Sequence, residues 1–300
     1  MGLRDGVRRT GEVGLAGMPA ATMRERDNAM AEATNERPLL ELRNITVRYQ
    51  SGGRDVLAVE GLDLVVPERS FVSLIGPSGC GKSSVLNVMA GYLRPVSGEA
   101  LMLGSAIVGP GPDRSVVHQQ TSALLPWLNV EDNVALGLLA QNLPKARRRE
   151  AAKHYLELVR LSGFEKHPIY HLSGGMRQRV ALARALATES KVVLLDEPLG
   201  AIDALQRGLM QDFLLRLWSE SGRSFFLITH SVDEAIYLGT SVLAMSPRPG
   251  RIIARRDTDF GRRALREGGP KVRRSSEFLA LQSELLEILT SAGSGETQTS

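Results

Sequence analysis

The chain has 300 residues, is 43% hydrophobic and carries a formal charge of +4, which is enough apolar material for a sizeable core and too little net charge to demand nucleic acid or anionic lipid as a partner. No apolar run approaches the ~18 residues of a membrane span, and charged and small residues interrupt the N-terminus where a secretory segment needs an apolar stretch. The single cysteine, Cys80, excludes an internal disulfide and agrees with a reducing compartment.

Residues 1–37 are rich in Gly, Ala, Arg and Glu without helical or strand period, which predicts a disordered leader; Met23 and Met30 offer alternative starts. From Leu39 the pattern alternates (Leu40, Leu42, then Ile45, Val47, Tyr49), passes a Ser51-Gly52-Gly53 turn, and alternates again (Leu62, Leu64, Val66) up to Pro67. This predicts an antiparallel sheet. Tyr49, at its end, could stack on a nucleobase or simply cover the sheet edge.

Next comes Gly76-Pro77-Ser78-Gly79-Cys80-Gly81-Lys82-Ser83, a full match to the phosphate-loop pattern G-x-x-x-x-G-K-[S/T], between an apolar run (Phe71 to Ile75) and a helix-like one (Ser83 to Ala90). Glycines let consecutive amides face inward, and the following helix adds the positive end of its dipole, so the loop is a nest for polyphosphate. Lys82 supplies a mobile charge for the outer phosphates and Ser83 a hydroxyl for Mg²⁺. The alternative is an ordinary glycine turn.

Further strands are predicted at Ala100 to Leu103 and at Ser115 to His118, the latter followed by Gln119-Gln120. A mostly helical region succeeds them, over about 121–187. In it Ala146 to Leu161 sets Ala152, Leu156 and Val159 opposite Arg147, Arg148, Arg149, Glu150 and Lys153, a solvated basic face. The continuous apolar run Val192 to Leu195 fits a central parallel strand and ends in Asp196-Glu197-Pro198; Phe225 to Thr229 ends in His230 in the same way. Such strand ends are where doubly wound sheets hold ligands. Asp196 reads as an Mg²⁺ ligand or as a helix cap, and Glu197 as the group that polarises an attacking water or as one more surface acid; beside a phosphate loop the catalytic readings are preferred. His118, His154, His167 and His171 show no metal-ligand spacing.

Basic residues concentrate at the C-terminal end: Arg251, Arg255, Arg256, Arg262, Arg263, Arg266, Lys271, Arg273 and Arg274 stand against Asp257, Asp259 and Glu267. A solvated face is preferred to a contact with phospholipid headgroups. The expected organisation is a leader (1–37), one α/β domain (38–256) with the helical insertion, and a basic helical tail (257–300).

Over about Leu39 to Leu289 the sequence resembles the ATP-binding subunits of ABC transporters. The strongest mark is Leu172-Ser173-Gly174-Gly175-Met176-Arg177-Gln178-Arg179, close to the family signature LSGGQ-x-R and placed between the phosphate loop and Asp196-Glu197. The resemblance implies a P-loop NTPase fold, that of an ABC nucleotide-binding domain, with an antiparallel β subdomain and an inserted α-helical signature subdomain. It implies ATP and Mg²⁺ as ligands. Two copies then face each other head to tail, so that Ser173 and Gly175 of one contact the γ-phosphate held by Lys82 of the other, with Gly174 between them.

By the same resemblance, Gly76 to Ser84 cradle the nucleotide, and Ser83, Gln119 and Asp196 meet the metal. Gln119 also meets the nucleophilic water and relays closure to a membrane subunit. Glu197 and His230 orient the water, Leu199 to Asp203 link the two sites through Asp203, and Tyr49 stacks on adenine. Strand register favours Gln119 as the coupling glutamine, whereas counting back from Leu124-Leu125-Pro126-Trp127 would choose Gln120.

Gly109-Pro110-Gly111, Leu124 to Val130 and Met245 to Ile252 resemble the nitrate, sulfonate and taurine importers, and Asp259 to Arg263 with Ser276-Glu277-Phe278 the taurine members. The implied role is ATP-driven import of taurine or a related sulfonate. The subunit would be a peripheral homodimer on the cytoplasmic face of the inner membrane, working with permease subunits and indirectly with a periplasmic binding protein, and without nucleic acid. The alternatives are an importer of nitrate, another small anion or a thiamine precursor, and a soluble ABC ATPase outside transport. Trp127 is expected either to line a groove for a permease helix or to pack in the local core.

Overall fold

The structure, a computed structural model, describes residues 38–51, 54–118, 124–141, 143–200 and 204–294. Two sheets organise it. The first is four-stranded, in the order β2-β1-β4-β5, from β1 (Pro38–Ser51), β2 (Arg54–Pro67), β4 (Ser97–Met102) and β5 (Ser105–Ala106). All its pairs are antiparallel. The register of β1 on β2 shifts between Leu42 and Ile45, the place where the apolar alternation skips a residue, so a bulge keeps both halves of β1 facing the core.

The second sheet is six-stranded, β10-β9-β3-β8-β7-β6, from β3 (Phe71–Ile75), β6 (Arg114–Val117), β7 (Val192–Asp196), β8 (Ser224–Thr229), β9 (Ser241–Met245) and β10 (Ile252–Asp257). Only β10 runs antiparallel to its neighbour. The central strands β3, β7, β8 and β9 read as largely apolar runs because each feeds two cores. Val72, Leu74, Phe226, Ile228, Leu243 and Met245 pack with the first sheet and with α1 (Lys82–Ala90). Phe71, Ile75, Phe225, Leu227, Val242 and Ala244 pack with the helices on the other face. Each such side chain removed from water is worth about 2 kcal/mol, so neither face can be left open.

The helices after β6 are α2 (Val130–Ala135), α3 (Lys145–Leu158) and α4 (Gly174–Ala187), which pack on one another. Asn129 caps α2, its Oδ1 accepting from the Asp132 amide at 2.7 Å, and Ser173 caps α4, its Oγ accepting from the Met176 amide at 3.3 Å. Beyond β7 come α5 (Ala204–Ser221) and α6 (Val232–Leu238). The C-terminal helices are α7 (Phe260–Glu267), α8 (Gly269–Arg273) and α9 (Ser276–Ser294). Phe260, Ala264, Val272, Phe278 and Leu285 are buried in the same apolar cluster as the sheet, so these helices are seated by ordinary core packing. None of the described helices is long and apolar enough to cross a membrane.

Candidate nucleotide site

Parallel register builds the site. Ile75 pairs with Thr229 and Asp196 with Ile228, so the residues that follow, Gly76, His230 and Glu197, emerge at one carboxyl edge of the sheet. Val117 pairs with Leu195, which sets His118 beside Asp196 at the same edge. Gln119 and Gln120 follow directly but lie outside the described residues, as do Ala201, Ile202 and Asp203 of the loop after Gly200 and the turn glycines Gly52 and Gly53.

The phosphate loop is fixed by close approach rather than by glycine composition alone. A Cβ on Gly76 would lie 2.9 Å from Cys80 Sγ and 3.0 Å from the Met245 carbonyl oxygen. Gly81, at φ +109° before α1, would press one against the Ala58 carbonyl at 2.9 Å. Lys82 is only 6% exposed; its Nζ donates to the carbonyls of Gly76 at 2.8 Å and Pro77 at 3.0 Å. Cys80 is buried at 1% exposure, and burial pushes its thiol pKa up.

A cleft of ≈ 530 Å³ opens on the loop, lined by Tyr49, Val56, Ala58, Ser78, Gly79, Gly81, Lys82, Ser83, Ser84, Glu197 and Arg248. That is the size of a small-molecule site. Tyr49 pairs with Val56 across β1 and β2, which gives one end of the cleft an aromatic and an apolar side chain. The Tyr49 hydroxyl donates to Ser84 Oγ at 2.9 Å, tying this sheet to α1. At the other end Glu197 Oε2 lies 3.1 Å from His230 Nδ1.

Glu197 has φ +44°, a left-handed backbone that costs a non-glycine residue about 1 kcal/mol. Its amide donates to the Ile228 carbonyl at 3.0 Å, and its own carbonyl accepts from the Gly200 amide at 3.1 Å, bonds that hold the turn. The His230 turn is held from beneath: Thr229 Oγ1 donates to the buried Glu234 carboxylate at 2.7 Å and accepts from the Ser231 amide at 3.1 Å. Burial raises the Glu234 pKa. Burial also raises that of Asp196, with Glu197 adding to the rise and His118 and Lys82 opposing it. The exposed Ser83 hydroxyl and the Asp196 carboxylate are hard oxygen donors, the kind Mg²⁺ takes one or two of while keeping phosphate and water as its other ligands.

The signature residues are not part of this cleft. Ser173 and Gly174 are exposed and Gly175 partly so at the start of α4. The Leu124 to Val130 stretch divides: Leu124 and Val130 are buried, whereas Trp127 is 74% exposed, so local core packing does not account for the tryptophan. Its loop is pinned by buried Asn133, whose Oδ1 accepts from the Leu125 amide at 2.8 Å and whose Nδ2 donates to the carbonyls of Leu125, Leu128 and Asn129 at 3.0, 3.2 and 3.0 Å.

Five of the nine basic residues of the C-terminal stretch are ion-paired within the described residues. Arg251 pairs with Glu60, Arg255 with Asp257, Arg256 with Glu284, and Arg263 and Lys271 with Glu267. That supports the solvated-face reading. Sequence reasoning missed Arg248 as a site residue: it treated Met245 to Ile252 only as a mark of the importer branch. Nothing in local pattern could have joined Arg248 to a loop 169 residues away.

The family pattern described as ABC transporter matches residues 59–200. The chain is 48% identical over 246 residues to the taurine import ATP-binding protein TauB of Burkholderia thailandensis, covering 82% of this chain and 94% of that one. It is 48% identical over 240 residues to the protein of the same name from Rhizobium johnstonii, covering 80% and 91%. Among solved structures it resembles the dimeric form of the bacterial ABC transporter cassette MJ0796, with a TM-score of 0.64 and 30% identity over 73% of this chain and 98% of that one. It also resembles a dimeric post-hydrolysis state of that cassette bound to ADP and Pi, with a TM-score of 0.64 and 29% identity over the same shares. A phosphate loop, a carboxylate–histidine pair at one sheet edge and this degree of identity over nearly the whole length of the relatives lead to one conclusion: the chain belongs to the ATP-binding subunits of ABC transporters.

Proposed function

We propose that the chain is the ATP-hydrolysing subunit that drives import of taurine or a related aliphatic sulfonate. The observation that carries the solute class is the 48% identity to a taurine import ATP-binding protein over 94% of that relative. The chemistry is phosphoryl transfer from ATP to water, catalysed by position and charge.

In this reading the loop amides of Gly76 to Ser84 and the ammonium of Lys82 bind the polyphosphate, and Tyr49 stacks on adenine with Val56 beside it. Glu197, bonded to His230, orients water in line with the γ-phosphate. Ser83, Asp196 and Gln119 would hold Mg²⁺, which when bound would supply charge neutralisation for the phosphates. A second copy closes the site with its Ser173, Gly174 and Gly175, and Asp203 links the two sites. Exposure of the signature turn away from the cleft of its own chain supports that division of labour. Gln119 relays closure to a permease, and Trp127, presented on the loop fixed by Asn133, inserts into the permease contact. The dimer sits peripherally on the cytoplasmic face of the membrane, and a periplasmic binding protein delivers the solute.

Deleting the gene from its host should abolish growth on taurine as sole sulfur source. The wild-type chain should restore growth and Lys82→Ala should not. Undiminished taurine uptake in the deletion strain, alongside ATPase activity of the purified chain, overturns the solute and leaves the ATPase.

A further inference from the structure

The loop between β9 and β10 touches the phosphate loop at two points. Arg248 donates from Nε at 3.2 Å and from Nη2 at 2.8 Å to the carbonyl oxygen of Gly79. Two residues on, Gly250 lies so close that a Cβ would sit 2.2 Å from the Cys80 carbonyl oxygen. The loop is also laced to β2, because the Gly250 amide donates to the Ala58 carbonyl at 2.9 Å and the Glu60 amide to the Gly250 carbonyl at 3.2 Å. Ser246 stiffens it from within: its Oγ donates to the Pro247 and Pro249 carbonyls and accepts from the Arg251 amide at 3.0 Å. A guanidinium on so constrained a backbone is aimed at one acceptor.

That acceptor matters because Gly79 has φ +77°. A peptide next to a left-handed glycine turns over easily, and a carbonyl turned into the cleft would meet the phosphates oxygen to oxygen. We propose that Arg248 is a positioning residue for nucleotide: it holds the Gly79 carbonyl out of the cleft so that the loop amides keep facing the anion, and it sets a permanent positive charge at the phosphate rim. Arg248 lines the same cleft as Lys82 and Glu197 and is bonded to the phosphate loop itself. Its effect therefore falls on the polyphosphate and not on the adenine.

This inference rests on the reading of the cleft as an ATP site. The test is ATP, ADP and adenosine affinity by calorimetry, with steady-state ATPase kinetics, on the full chain and on Arg248→Ala, Arg248→Lys and Arg251→Ala. Arg248→Ala should weaken ATP and ADP roughly tenfold, about 1.4 kcal/mol, leave adenosine binding unchanged, and raise KM with kcat within about twofold. Arg248→Lys should recover only part of the loss, because an ammonium cannot place two donors on one oxygen in this geometry. Arg251→Ala, which breaks an ion pair from the same loop to Glu60 of β2, should match the wild type.

ATP affinity of Arg248→Ala equal to wild type overturns the inference and leaves the ATP site standing. Equal loss for adenosine and ATP, or an equal loss in Arg251→Ala, assigns the loop a merely structural role and also overturns it. A wild-type chain that binds no ATP takes down both.

Discussion

The phosphate-loop end and the signature end of this molecule are opposite kinds of surface. At the first, Lys82 is buried, glycines are packed against the Ala58 and Met245 carbonyls, and Arg248 grips Gly79 from the loop between β9 and β10. At the second, Ser173 and Gly174 stand in solvent and the serine oxygen serves only as a helix cap. On the proposed reading, one end of the chain is a finished nucleotide cradle and the other waits for a second copy. Binding would then belong to the protomer and turnover to the pair, because an exposed turn can stabilise developing charge only when another surface buries it.

The sharpest way to separate binding from turnover is Glu197→Gln, which keeps the size and the turn but removes the carboxylate that pairs with His230. ATPase activity should fall on the order of a thousandfold, nucleotide affinity should stay within about twofold, and gel filtration with ATP should show a persistent dimer. Near-normal hydrolysis would remove Glu197 from the mechanism. At the outward-facing end, Ser173→Asp retains a good helix cap yet places negative charge where a γ-phosphate is expected. Turnover should drop about a hundredfold while the isolated protomer binds ATP as before. A parallel loss of ATP affinity in the monomer would mean that the two ends are not separable.

Trp127→Ala tests a third surface, the exposed side chain on the loop fixed by Asn133. Permease-stimulated turnover should fall roughly tenfold, about the cost of losing one interface anchor, with basal ATPase within about twofold; equal losses of both would return the tryptophan to a structural role. The smallest effect concerns Cys80. Burial raises its pKa, so below that raised value the thiol stays protonated and alkylation is slow, and the rate should keep climbing with pH past the range where an ordinary thiol levels off. Added ATP should slow labelling further. Equal rates with and without nucleotide would place the nucleotide away from the loop.

The pattern Gly76 to Ser83 determined the phosphate loop because that chemistry needs contiguous residues, and the signature Leu172 to Arg179 was legible for the same reason. The unbroken apolar runs of β7 and β8 announced strands covered on both faces, since only burial on two sides removes the need for alternation. What local pattern could not decide is which strand ends share an edge. That followed from the pairing of Asp196 with Ile228 and of Ile75 with Thr229, a register set by packing between segments far apart in the chain. It is this register that brings Glu197 to His230. The exposure of Trp127, the seating of Phe260, Phe278 and Leu285 in the main core, and the reach of Arg248 to Gly79 likewise depend on which surfaces meet, and sequence spacing carries no information about that.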